Sequence, residues 1–286
     1  MNGQIMLVTG ASSGIGKATA SRLATLGAHV VMVSRTAARG EAARAEIRAA
    51  APGATIDLLV ADLSTTAAIR ALAAEFQAKY DRLDVLLNNA AVLTSRRRET
   101  PEGIEMQFFV NHLAYFLLTG LLMETLLVSR SARIINVAST AQSSGVIDFD
   151  DLQMKRQYRG WQAYANTKLM NILFTYELSR RLDGTGVTAN CLHPGVIRTK
   201  LLRNFSSVLQ VAWDVTGKFF KQPEDGAETP VYLASSPEVA GVTGQYFRYC
   251  RTMGTCEASY DRETQRRLWD ESERLTGFRY SLSPPP

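Results

Sequence analysis

Short apolar runs recur along the chain, at residues 5–8, 29–34, 55–60, 83–88, 133–138 and 186–192. The first, Ile5-Met6-Leu7-Val8, shows no polar alternation. That pattern marks a strand buried on both faces, at the centre of a parallel sheet. Longer segments lie between the runs and read as helices. They cover 17–26, stopped by Gly27; 36–50, closed by Pro52-Gly53; and a segment entered through Asp62-Leu63-Ser64, with Ser64 as its N-cap. Two more cover 100–127, with Pro101 in the first turn, and 161–182. Strand and helix alternate throughout, which predicts an α/β fold with a parallel sheet and right-handed crossovers. No internal repeat is present. Residues 281–286, rich in proline, read as a disordered tail, leaving 1–280 as one domain.

Composition narrows the function classes. Apolar residues make up 46% of the 286 and charged residues 21%, enough for a sizeable core and against overall disorder. The net charge of +5 is mild and its sources are scattered. The densest basic run, Arg96-Arg97-Arg98, is followed at once by Glu99, so a solvated loop is the reading and nucleic acid is not an expected partner. The three cysteines, Cys191, Cys250 and Cys256, form no CxxC pair, and His29, His112 and His193 lie far apart. A reducing compartment and no metal site are expected. The first strand starts at once, with no room for a signal or anchor. The stretch 115–128 is broken by Glu124 and too short to span a bilayer. A cytoplasmic protein is the expectation, and a homodimer or homotetramer fits it.

The first apolar run leads into Thr9-Gly10-Ala11-Ser12-Ser13-Gly14-Ile15-Gly16 and then a helix. A strand, a glycine turn and a helix N-terminus in that order form an anion site. Backbone N–H groups face outward, the helix dipole favours negative charge, and missing Cβ atoms let a phosphate approach. The spacing is TGxxxGxG, neither GxGxxG nor a P-loop. Gly10, Ser12, Ser13, Gly14, Ile15 and Gly16 are the candidate phosphate contacts. The second run ends in Ser34-Arg35 with no carboxylate. An acidic residue there binds a ribose 2′-hydroxyl, whereas arginine accommodates a 2′-phosphate, so NADP is favoured over NAD. Asp62 and Leu63 follow the third run, at the sheet edge where ligands bind, and Asp62 can accept the adenine amino group. Asn89, Ala90 and Ala91 follow the fourth, with small side chains beside a bound cofactor.

Tyr164-Ala-Asn-Thr-Lys168 places Tyr and Lys on one helix face at i and i+4. Together TGASSGIG, Asn-Asn-Ala, Asn111, Ala138-Ser139 and YxxxK, in this order, resemble the short-chain dehydrogenase/reductase family from residue 5 to about 199. Ala91 stands where that family usually has glycine. The resemblance implies a doubly wound Rossmann fold, a single parallel sheet of about seven strands with helices on both faces. It also implies a catalytic tetrad of Asn111, Ser139, Tyr164 and Lys168. Tyr164 is then general acid in carbonyl reduction and base in reverse. A free tyrosine, with a pKa of about 10, holds its proton too tightly for a base at neutral pH. Lowering it by about three units needs about 4 kcal/mol of phenolate stabilisation, expected from Lys168 and an oxidised nicotinamide. Lys168 also bonds the nicotinamide ribose, Ser139 donates to the substrate oxygen, and Asn111 holds a water that links Lys168 to solvent. Pro194, Gly195, Val196 and Thr199 are expected against the nicotinamide, and Tyr164 joins Lys168 as a cofactor contact.

Further segments are similar to the retinol dehydrogenase-like branch, near protochlorophyllide reductases: Asn111-His-Leu-Ala-Tyr-Phe-Leu-Leu-Thr, Asp148-Phe-Asp-Asp-Leu, Ala165-Asn-Thr-Lys-Leu-Met-Asn, Lys221-Gln-Pro-Glu-Asp-Gly-Ala and Arg267-Leu-Trp-Asp-Glu-Ser. The implied activity is an NADP(H)-dependent oxidoreductase interconverting a lipophilic, retinal-like carbonyl and its alcohol. A steroid or polyketide ketoreductase is the alternative within enzymes. A non-catalytic NADP(H)-binding sensor or scaffold is the alternative outside them, although such proteins lose the Tyr or Lys that are present here. Residues 200–222 are expected to form a substrate lid, with Phe205, Leu209 and Trp213 at helical spacing joining Ser139 and Tyr164 as substrate contacts.

Overall fold

The computed structural model describes residues 1–129, 131–195 and 223–281. The expected lid, 200–222, and all but Ser281 of the expected tail lie outside the described residues. Six strands coincide with the six apolar runs to within two residues: β1 Ile5–Thr9, β2 His29–Ser34, β3 Ile56–Val60, β4 Val85–Asn88, β5 Arg133–Val137 and β6 Thr188–His193. Two more, β7 Tyr246–Arg248 and β8 Arg251–Met253, close the edge. The sheet order is β3-β2-β1-β4-β5-β6-β7-β8. Every pairing is parallel except β7 with β8. The sheet thus has eight strands where about seven were expected. The eighth is half of a three-residue hairpin turned through Tyr249 and Cys250, both at positive φ, and three residues are too few to show a period.

The central strands are apolar throughout because both faces are covered. Leu7, Val31, Leu86 and Ile134 face one core with Phe76, Phe116, Leu173 and Trp269. Their neighbours Met6, Val30, Leu87 and Ile135 face a second core with Leu23, Ile47 and Val231. The covering helices are α1 Gly14–Thr25, α2 Ala37–Ala50, α3 Thr66–Lys79, α4 Met106–Phe108, α5 Ala114–Leu121, α6 Met123–Val128 and α7 Gly160–Arg181. Later come α8 Pro223–Gly226, α9 Glu228–Ser235 and α10 Arg262–Thr276. The strand order reverses between β1 and β4, and the crevice beyond their carboxyl ends is the natural ligand site of such a sheet.

Two helix boundaries depart from the sequence reading. The cap of α3 is Thr65, whose hydroxyl accepts from Ala68 N, and not Ser64. The helix expected from residue 100 begins at Met106. Thr100 to Gly103 instead form a turn closed by Gly103 N on Thr100 O, and the Glu105 carboxylate caps the helix by accepting from Phe108 N at 2.7 Å. That helix is also not uniform: a π turn, Phe109–Leu113, interrupts it, and Leu122 separates α5 from α6.

Candidate active site

The glycine turn leaves β1 and enters α1 along the crevice. Gly10 and Gly14 have φ of +67° and +56°, a region that side chains with a Cβ rarely adopt. A Cβ on Gly10 would lie 2.9 Å from Ala90 Cα, and one on Gly16 would lie 2.5 Å from Gly10 O. The turn therefore requires glycine for packing as well as for conformation. Ser13 is the extended N-cap of α1 and makes no side-chain cap bond. Ser12, Ser13, Gly14 and Ile15 are all at least partly accessible, and no acidic residue occupies the first turn of the helix. A cradle of backbone N–H groups that is free of carboxylates suits a dinucleotide pyrophosphate.

The rest of the crevice is built by the strand ends. Thr9, not singled out from sequence, ties two of them together. Its hydroxyl accepts from Asn89 N at 2.8 Å and Ala90 N at 3.1 Å and donates to Leu87 O, while Asn89 Nδ2 donates to Thr9 O. Beside it Ala91 is half-buried. Ser34 is buried, and its hydroxyl donates to Thr36 O. Arg35 is exposed at the same edge. Asp62 is exposed and accepts from Ser64 N through Oδ1, and Leu63 is buried behind it. Pro194 and Gly195 leave β6, with Gly195 at φ +93°. Val196, Thr199, Phe205, Leu209 and Trp213 lie outside the described residues.

The tetrad residues come together from three elements. Tyr164 and Lys168 stand one turn apart on α7, with Lys168 Nζ 5.4 Å from the Tyr164 ring centre. Lys168 is fully buried and donates to Val137 O at 2.9 Å, which joins α7 to the end of β5. Ser139 caps the short turn that follows β5 and accepts from Ala141 N. Asn111 sits in the π turn, a layer behind. Its amide clamps Val92, accepting from Val92 N at 2.8 Å and donating to Val92 O at 2.9 Å, and also donates to Thr167 Oγ1. The side-chain amide of Asn111 thus has three hydrogen bonds to protein partners.

Burial dominates the electrostatics of the pair. Burial pushes the Tyr164 phenol up to about 12, opposed only by the hydrogen bond with Ser139. Burial also pulls Lys168 down to about 7. The lowering expected of Tyr164 needs Lys168 charged and an oxidised nicotinamide beside it, and burial of the chain's own groups acts in the opposite direction. His193 is buried behind the site with neither ring nitrogen hydrogen-bonded. Burial first, then Arg248 and Lys168, pull it down to about 4.

Sequence reasoning missed Trp161. It lies in the first turn of α7 with its ring 5.7 Å from that of Tyr164, and it is 51% exposed. The i, i+3 spacing to Tyr164 was the available signal. Among the described residues, no group of three or more His, Cys, Asp and Glu is placed to hold a metal. No described helix is long and apolar enough to cross a membrane.

Comparison with known proteins agrees with this geometry. The short chain dehydrogenase family model matches residues 4–209. Human retinol dehydrogenase 14 is 45% identical over 97% of this chain and 88% of its own. A crystal structure of a Mycobacterium paratuberculosis protein, 30% identical, superposes with a TM-score of 0.80 over 98% of this chain and 96% of that one. The Pseudomonas aeruginosa RhlG/NADP active-site complex, 26% identical, superposes at 0.71 over 86% and 94%. The chain belongs to the short-chain dehydrogenase/reductase family, in its retinol dehydrogenase-like branch, and is an oxidoreductase of the kind that works with a nicotinamide cofactor.

Proposed function

We propose that this oxidoreductase interconverts a lipophilic carbonyl, retinal-like in shape, and its alcohol, with NADP(H) as cofactor and Tyr164 as proton donor. The observation that carries the reading is the convergence of Tyr164, Ser139 and Lys168 at the carboxyl edge of the sheet that holds the glycine cradle. The nicotinamide supplies or accepts the hydride when bound. In reduction the Tyr164 hydroxyl gives its proton to the carbonyl oxygen, and Ser139 donates a hydrogen bond to that oxygen as charge grows on it. A phenol near 12 arrives at this step protonated at neutral pH. Lys168, on the same face of α7, returns the proton. Gly10, Ser12, Ser13, Gly14, Ile15 and Gly16 would hold the pyrophosphate, Asp62 and Leu63 the adenine, and Asn89, Ala90, Ala91, Pro194 and Gly195 the remaining length.

Arg35 supports NADP over NAD. It is exposed at the end of β2, where Ser34 is turned inward and no carboxylate is present to meet a 2′-hydroxyl. The 45% identity to a retinol dehydrogenase supports an apolar substrate, as does exposed Trp161, whose ring lies 5.7 Å from that of Tyr164.

The test is a panel of retinal, long-chain aldehydes, steroids and quinones, followed by NADPH and NADH absorbance. Retinal or a long-chain aldehyde should turn over fastest, and with NADPH. Arg35→Ala should raise KM for NADPH about tenfold and leave NADH unchanged, the loss of about one charge-assisted contact. Cofactor binding without turnover of any carbonyl would refute the enzymatic reading.

A further inference from the structure

Tyr115 is the residue of the site's surroundings that the proposed chemistry does not use. It follows Asn111 by four positions, so the two side chains leave the same face of one helical stretch, toward α7. It is 1% exposed, and its hydroxyl has no hydrogen-bond partner among the described residues. A buried, unpaired hydroxyl destabilises a fold, and phenylalanine would fill the same space without that cost. The Tyr115 ring centre lies 5.9 Å from Lys168 Nζ. Tyr115 and Tyr164 are near enough for a charge on either to oppose ionisation of the other.

Lys168 needs what Tyr115 offers. An ammonium carries three N–H donors, and among the described residues Nζ bonds the Val137 carbonyl, which also takes a bond from Asn171 Nδ2 at 3.3 Å. The ionisable groups set against Lys168 are Tyr164 on its own helix, Tyr115 on α5 and His193 at the end of β6. None of these supplies a negative charge at neutral pH, and the lysine is pulled down to about 7.

We propose that Tyr115 is a positioning residue for Lys168: its ring face and its hydroxyl oxygen hold the buried ammonium, the oxygen accepting through one bridging water. The ring contributes cation–π attraction and the oxygen a lone pair, and both favour the charged lysine. The proposal builds on the reading of Tyr164 and Lys168 as the proton-handling pair.

Tyr115→Phe tests it, because it removes one oxygen and keeps the ring. Lysine is labelled with 13C at Cε, the Lys168 signal is assigned by its loss in Lys168→Arg, and its titration is followed by NMR in both proteins. The expected result is a midpoint at least half a unit lower in Tyr115→Phe, with a Tm equal to or above that of the parent. Turnover of the best aldehyde should drop about threefold or more at the pH of the parent midpoint and recover toward lower pH. An unchanged Lys168 midpoint overturns the proposal. So does a loss of turnover that is uniform with pH and accompanied by a lower Tm, which would make the hydroxyl structural. Lys168→Ala serves as the separate control: if it kept full turnover, the reading of the site itself would fail, whatever Tyr115→Phe did.

Discussion

Burial pushes two ionisable side chains of α7 toward neutrality: Tyr164 up to about 12 and Lys168 down to about 7. Near neutral pH the tyrosine is therefore a proton donor, the state that carbonyl reduction needs. Tyr164→Phe removes that proton and keeps the ring, so kcat should fall by at least about 10²-fold, the low end of what a positioned acid contributes. Titration of NADPH fluorescence should show binding retained, and near-normal turnover would require another acid. The i, i+4 pairing of Tyr164 with Lys168 was legible in the sequence because one helical turn is local geometry. The side-chain partners of Asn111 were not. Its amide is taken up by Val92, 19 residues away, and no local pattern reports such a clamp. Arg35 and the missing carboxylate beside it were legible as identities, although only the fold places them at the crevice edge.

The elements show the same division. Buried polar residues tie strands to helices beneath the site. Asn88 and Asn136 are register partners on β4 and β5, with Asn88 Nδ2 donating to Asn136 Oδ1 at 2.9 Å and to Thr119. Asn136 Nδ2 continues to Thr175 on α7, whose hydroxyl donates to Asn171 O. Asn136→Ala would strand one of these donors and one acceptor inside the core, a loss of about 1–3 kcal/mol. Urea unfolding should show it as a lower midpoint at constant slope; an unchanged midpoint would mean that water replaces the amide. The strands were legible because both faces of the sheet are covered, which makes each strand a plain apolar run. Helix starts were less so. Glu105 rather than Thr100 opens its helix, because capping depends on which carboxylate the preceding turn delivers to the free N–H groups. The π turn and the β7–β8 hairpin leave no periodic trace.

Across the whole molecule, stability depends on histidines kept neutral. His112 lies beside Asn111, fully buried, with Nε2 3.0 Å from Ser272 Oγ on α10. Burial pulls it down to about 3, against a hydrogen bond with Asn171. An unfolded histidine takes a proton below about pH 6.5. Between about 6.5 and 3 the unfolded chain thus binds more protons than the folded one, so stability is full above that window and falls as the pH drops through it. His193, held near 4, acts in the same direction. Urea midpoints at pH 8 and pH 5 should differ, and His112→Gln should shrink the difference; an equal gap in the variant would clear His112. The contact from His112 to α10 also shows where sequence reading ends. The sequence alone determined the α/β class, the glycine cradle, the YxxxK pair and the family they resemble, because each is read from local runs and motifs and from their order along the chain. The tertiary structure alone decided the strand order β3-β2-β1-β4-β5-β6-β7-β8, the clamp of Asn111 on Val92, the placement of Trp161 beside Tyr164 and of Tyr115 beside Lys168, and the burial that acts on Tyr164. Each of these depends on what distant segments bury, and burial is a property of the packed molecule.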